Sequence, residues 1–206
     1  MKYEMIIFDM DGTLWDVTKI TTEATNMIAD TYKEVPNVSI EQINQIMGLS
    51  KSEVAEKLMP NIELEKALNY IDLEVSKTME LIGINGALIY ENVIDTINYL
   101  KDKYKLGIVT NNVDEYAKLF VDKTNLNDAF IDYIGAASYN ISKTNAIKEI
   151  LKRNNISSAC YIGDIKKDMD AAIDAGIDFI HARYGFDKNV DCKIHIDDII
   201  ELKDLL

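Results

Sequence analysis

A chain of 206 residues, 48% hydrophobic with nine Gly and two Pro, can bury a sizeable core and reads as a compact globular protein of one or two domains. A formal net charge of −13 repels polyanions, and the basic residues are dispersed, with Arg153 and Arg183 the only arginines, so nucleic acid is excluded as an expected partner. No apolar run approaches the roughly 20 residues of a membrane span, and "MKYEMIIF" is too short and too acidic for a signal peptide. Cys160 and Cys192 lack metal-ligand spacing and read as reduced thiols, so a cytoplasmic protein is expected.

In chain order, "MIIF" (5–8) is a short apolar strand that runs straight into Asp9 and Asp11, after which Gly12 and Thr13 turn the chain. Residues 17 to 82 differ from the rest. Helical periodicity runs through "TTEATNMIADTYKEV", two capping boxes follow at Ser39 with Gln42 and Ser50 with Glu53, and "IELEKALNYIDLEVSKTMELI" predicts a long amphipathic helix. This is an all-helical insertion, with crossings near 14–17 and 82–87; Gly83 and Gly86 suit the second as a hinge.

From about residue 87 helices and strands alternate. The helix "ENVIDTINYLKDK" precedes the strand "KLGIVT", the helix "DEYAKLFVDKT" the apolar run "FIDYIGA", and the helix "KTNAIKEILKRN" the strand "ACYIGD". The helix "KKDMDAAIDAG", the strand "DFIHAR" and "KIHI" leading into "DDIIELKDLL" complete the chain. Such alternation predicts an α/β fold with a doubly wound parallel sheet covered on both faces. The expected division is an α/β core from 1–16 and 84–206 and a helical cap from 17–83.

The spacing Asp-x-Asp says little by itself, because Asp168 and Asp170 repeat it within a helical stretch. Position says more: Asp9 and Asp11 fall at the carboxyl end of the first strand, where open parallel sheets place their ligand sites. Thr110 and Asn111 end another strand, Lys143 opens a helix, and Gly163 and Asp164 end a third strand, so all should converge on one edge. These residues make a coherent set for phosphoryl transfer. Asp9 and Asp164 would hold Mg2+, a hard ion that prefers oxygen, and Lys143 would offset charge on the transferring group. One aspartate can attack phosphorus while its neighbour handles protons, and Gly12 lets the backbone approach the phosphate.

Together, "FDMDGTLWD", "IVTNN", Lys143 and "GDIKKDMDAAIDAG" resemble the four motifs of the haloacid dehalogenase (HAD) superfamily. The helical insertion after the first motif resembles the cap of its phosphoglycolate phosphatase-like branch. The resemblance implies a Rossmann-like core and a Mg2+-dependent phosphatase of small phosphorylated metabolites. It implies Asp9 as nucleophile, Asp11 as acid/base and backbone metal ligand, Thr110 as a phosphate hydrogen-bonder, Lys143 as charge neutraliser, Asp164 as metal ligand and Asp168 as support. Asn111 and Gly12 would contact the phosphate, and in "GLSK" Lys51 holds the offset at which related caps place a basic substrate contact. The chain departs from the pattern at Thr144 and at Glu91-Asn92, where the family often has Pro and Pro-Gly.

Trp15, His181 and His195 read as structural residues, and Asp170 and Asp174 as solvent-facing. A sugar phosphomutase of the same branch is the alternative enzyme, but those proteins carry His where this chain has Thr21. Dehalogenases lack the second aspartate, which Asp11 supplies here. A phosphate-accepting regulatory protein is the non-enzyme alternative; it would place its acids on different strands and carry no cap. The expected partner is a small phosphate ester, with the oligomeric state open.

Overall fold

A computed structural model describes residues 2–206. Strand β1 (Met5–Phe8) and the short β2 (Trp15–Asp16) precede four helices, α1 (Thr18–Thr31), α2 (Ile40–Asn44), α3 (Lys51–Leu58) and α4 (Leu64–Asn85). The short β3 (Leu88–Ile89) leads into α5 (Val93–Lys101), β4 (Lys105–Thr110), α6 (Asp114–Thr124), β5 (Phe130–Gly135) and the single turn α7 (Ala136–Tyr139). Then come α8 (Lys143–Arg153), β6 (Ala159–Gly163), α9 (Lys166–Ala175), β7 (Asp178–Ala182), β8 (His195–Ile196), a 3-10 turn (Ile199–Glu201) and α10 (Leu202–Leu205).

The chain divides into two compact units, one running up to Trp15 and resuming at Ile89–Leu206, the other Asp16–Leu88. The first holds a six-stranded sheet in the order β5-β4-β1-β6-β7-β8, every pair parallel, while β2 and β3 pair as a separate ribbon. The predicted α/β fold is therefore present. β1 lies between β4 and β6 and is fully buried, which explains its uninterrupted apolar run. On one face Met5, Ile7, Val109 and Tyr161 meet Ile147 and Ile150 of α8 and Ala172 of α9.

The second unit is helical. Ile28 and Ala29 of α1, Ala55 of α3, and Ala67, Tyr70 and Ile71 of α4 share one buried cluster. Both capping boxes form: the Ser39 N–H donates to Gln42 Oε1 at 2.9 Å and the Ser50 N–H to Glu53 Oε2 at 2.9 Å. Two boundaries differ from the sequence pattern. α1 stops at Thr31 rather than running through Val35: the chain turns to extended backbone at Tyr32 (φ −115°, ψ 95°), before Pro36 bars helix at Val35. Gly83 lies inside α4, and the helix ends only at Gly86, whose φ of 75° is open to glycine.

Ile147 is fully buried in the α8 cluster, whereas Ile173 on α9 is 60% exposed. Ile147→Ala is expected to lower unfolding stability by about 2–5 kcal/mol, and Ile173→Ala by under about 0.5 kcal/mol. Urea titration checks both, and equal losses would contradict this core.

Candidate active site

Parallel register brings the separated acids together. Phe8 is level with Ile108 on β4 and with Ile162 on β6, so Asp9, Val109 and Gly163 follow at one height, with Thr110 and Asp164 one residue beyond. The Asp9 N–H donates to the Ile162 carbonyl at 2.8 Å, which fixes the chain where it leaves the strand. All four sequence punctuations thus meet at the carboxyl end of the sheet.

Lys143, the first residue of α8, is buried, and its Nζ donates to Asp9 Oδ1 at 2.9 Å and to Asp168 Oδ1 at 2.5 Å. Burial works against the lysine charge, but the Asp168 and Asp9 carboxylates outweigh it and hold its pKa above the usual value. Asp168 Oδ2 accepts the backbone N–H groups of Asp164 (3.1 Å) and Ile165 (3.2 Å), at the start of α9. Burial and then the Asp168 charge push Asp9 up to about 7, against the pull of Lys143. Asp164 is raised well above the carboxylate range by burial and by the same two acids.

One carboxylate oxygen from each of Asp9, Asp164 and Asp168 lies within 4.8 Å of the other two, and all three residues are buried. Three carboxylates face one ammonium, leaving an excess of buried negative charge for a cation or protons to balance. An all-oxygen set of this charge fits a hard divalent ion such as Mg2+.

The family model for haloacid dehalogenase-like hydrolases matches residues 6–182. The chain belongs to this family. Phosphoglycolate phosphatase 1 of Pseudomonas aeruginosa is 25% identical over 192 residues, covering 88% of this chain and 70% of the relative. The phosphoglycolate phosphatase of Aliivibrio fischeri is 24% identical over 196 residues, covering 89% and 85%. Among solved structures, a haloacid dehalogenase-like family hydrolase from Streptococcus pneumoniae shares the fold with a TM-score of 0.85 at 21% identity, covering 99% of this chain and 98% of that one.

Within this haloacid dehalogenase-like hydrolase, Asp11 is half-buried, and its charge adds to the upward push on Asp9; its Oδ1 accepts the Trp15 Nε1–H at 2.8 Å and the Tyr116 hydroxyl at 2.7 Å. Thr110 is buried and its Oγ1 accepts the Asn112 N–H at 3.2 Å; α6 begins four residues later with Val113 at its cap, so Thr110 caps no helix. Asn111 follows it, half-buried. Gly12 has a φ of 84°, and a Cβ there would lie 2.1 Å from Asp164 Oδ2, so close approach of Asp164 requires glycine as much as the turn does. In the helical unit, Lys51 opens α3 and its Nζ lies 2.5 Å from Asp72 Oδ1.

Sequence reasoning missed several contacts. Tyr161 donates its hydroxyl to the Val109 carbonyl at 2.8 Å and places Oη 3.2 Å from Asp9 Oδ1. A tyrosine in an otherwise apolar, buried strand needs a partner for its hydroxyl, and that was the available signal. The Phe186 N–H donates to Asp164 Oδ2 at 2.7 Å, and the Tyr184 hydroxyl to the Thr13 carbonyl at 2.8 Å, so the loop after β7 wraps the Asp164 side of the cluster. His181 is structural: its Nε2 lies 3.1 Å from the Asp164 carbonyl and 2.8 Å from that of Asp187, and only a ring N–H satisfies carbonyl acceptors. Trp15 is fully buried among Tyr116 and Phe120, and Asp170 and Asp174 face solvent. Among the described residues no helix is long and apolar enough to cross a membrane.

A carboxyl whose pKa rises on folding stabilises the fold while it stays protonated. For Asp9 that contribution is complete below the unfolded value of 3.8 and is lost as pH rises through about 7. Relative to Asp9→Asn, the wild type in EDTA is therefore expected to lose thermal stability over this interval, and to regain more of it with Mg2+ at the top of the interval than at the bottom. Scanning calorimetry at several pH values checks this; a Mg2+ shift independent of pH would separate the cation from these carboxylates.

Proposed function

We propose that this chain is a Mg2+-dependent phosphatase that hydrolyses a small phosphorylated metabolite through a phosphoaspartate at Asp9. The reading rests on one observation above the others: the carboxylates of Asp9, Asp164 and Asp168 cluster at the carboxyl end of a parallel sheet, with Asp9 and Asp168 paired to the buried Lys143 ammonium. Family membership supports it, as do relatives named phosphoglycolate phosphatase.

Asp9, Asp164 and the Asp11 backbone carbonyl would hold Mg2+, which when bound supplies positive charge to the phosphoryl oxygens. Lys143 fixes Asp9 through Oδ1 and adds a second positive charge. Asp168 holds Lys143 in place and takes its own orientation from two backbone N–H groups. Thr110 and Asn111, at the end of β4, hydrogen-bond the phosphate.

Asp9 attacks phosphorus, the new O–P bond forms as the bond to the leaving oxygen breaks, and Asp11 gives that oxygen a proton. Asp11 then takes a proton from water, whose oxygen attacks the phosphoaspartate. Inorganic phosphate leaves and Asp9 is restored. Lys51, on the helical cap, is a contact for the remote end of the substrate.

A panel of phosphorylated metabolites that includes phosphoglycolate, assayed with Mg2+ and with EDTA, tests the reading. Turnover is expected only with the cation, and Asp9→Asn is expected to abolish it while leaving the fold intact. Retention of more than about a tenth of the wild-type rate, a barrier difference of only ~1.4 kcal/mol, would exclude covalent catalysis at Asp9.

Lys51→Ala is expected to reduce kcat/KM for the best substrate of that panel far more than for p-nitrophenyl phosphate, which offers little for a cap to hold. Equal losses on both would remove Lys51 from substrate selection.

A further inference from the structure

The candidate acid/base must serve two different oxygens in turn, the leaving group first and water second, so its carboxyl group has to be held in one orientation. An aspartate at the rim of a loop would ordinarily sample several rotamers. Asp11 is restrained from two directions. The indole of Trp15, four residues on, donates to Oδ1 at 2.8 Å, and the hydroxyl of Tyr116, on α6 and 105 residues away in sequence, donates to the same oxygen at 2.7 Å.

Both donors are themselves rigid. Trp15 is fully buried and Tyr116 is 1% exposed. Their rings meet edge to face at 5.1 Å, and Phe120 meets Trp15 in the same way at 5.3 Å. The loop between Asp11 and Trp15 is closed on itself: the Gly12 N–H donates to the Trp15 carbonyl at 2.9 Å, and the Leu14 N–H to that of Met10 at 2.7 Å. Neither donor can swing away without opening this cluster.

We propose that Tyr116 and Trp15 are positioning residues for Asp11, holding its carboxyl group where it exchanges protons first with the leaving oxygen and then with water. This rests on the acid/base role given to Asp11 above. Tyr116 touches neither substrate nor phosphate in this assignment; it acts through Asp11. General acid/base catalysis is worth about 10²–10⁴ in rate, and loss of one of two orienting bonds should forfeit a part of it, about tenfold.

The test uses Tyr116→Phe, which keeps the ring and its packing and removes only the hydroxyl. With glycerol 2-phosphate, whose alkoxide leaves poorly, kcat is expected to fall about tenfold with KM nearly unchanged. With p-nitrophenyl phosphate, whose leaving group needs no proton, the first turnover should proceed normally and a nitrophenol burst should precede a slowed steady state. The decisive comparison adds Tyr116→Phe to Asp11→Asn: acting only through Asp11, the tyrosine hydroxyl should then have no further effect on either ester. Because Trp15 is the only tryptophan, its emission gives a readout independent of turnover, and Asp11→Asn and Tyr116→Phe should each shift it.

A normal rate for Tyr116→Phe on glycerol 2-phosphate, with Asp11→Asn crippled, would overturn this inference and leave the acid/base reading standing. Normal turnover by Asp11→Asn would overturn both. Equal, multiplicative losses from Tyr116→Phe in the two backgrounds would assign the tyrosine a purely structural role, and a lowered unfolding midpoint would not mask that result.

Discussion

Lys143 carries its positive charge into a place where 7% of its side chain is exposed, and the fold tolerates it because Asp9 and Asp168 lie 2.9 and 2.5 Å away. The converse holds for the acids. Without the ammonium, three carboxylates would sit in low dielectric within 4.8 Å of one another, which no fold of ordinary stability sustains in ionised form. Each acid therefore also draws on a placed donor: Asp168 on two backbone N–H groups, Asp164 on that of Phe186. The start of α9 and the loop after β7 are held in position by the same bonds that satisfy the acids. Local backbone geometry and site electrostatics are thus one problem here, solved by one set of contacts.

The sheet makes this solution available. Parallel pairing of β1 with β4 and β6 puts every strand's carboxyl end on the same edge, so acids distant in sequence arrive at nearly one height. The crossover helices then start at that edge, and Lys143 and Asp168 belong to first turns of such helices. Apolar strands supply the rigidity, and the polar residues at the ends of β1, β4 and β6 meet at this edge. This division explains why four short punctuations in the sequence pointed to one place.

What was legible followed from local signals. The apolar run of β1 and its terminal aspartates, the helix/strand alternation after residue 87 and the two capping boxes all depend on neighbours a few residues apart. Contacts that depend on folding were not legible. Tyr116 reaches Asp11 across 105 positions and Tyr161 reaches Asp9 across 152, and in sequence each looks like one more core aromatic. Lys143 lacked the proline that the resemblance leads one to expect after it, yet it opens α8 buried between two acids with Thr144 in that place. Gly12 was read as room for a phosphate; the structure shows that it first makes room for Asp164. The far end of α1 failed for a different reason, because its periodicity continued past Tyr32, where the backbone leaves the helix.

The two aspartates of the opening motif show how two residues of spacing can yield two environments. Within a strand, positions i and i+2 would share a face, but β1 ends at Phe8, and the turn that opens at Met10 takes Asp11 out of the pleat. Asp9 consequently turns inward to Lys143 and Tyr161, where burial dominates its behaviour. Asp11 stays at the rim, held by two neutral donors and half-open to solvent. A carboxylate gripped by a fixed cation is suited to bonding with an electrophile, and one gripped by neutral donors near water is suited to passing protons. The turn that opens at Met10 is therefore what gives two chemically identical side chains different surroundings.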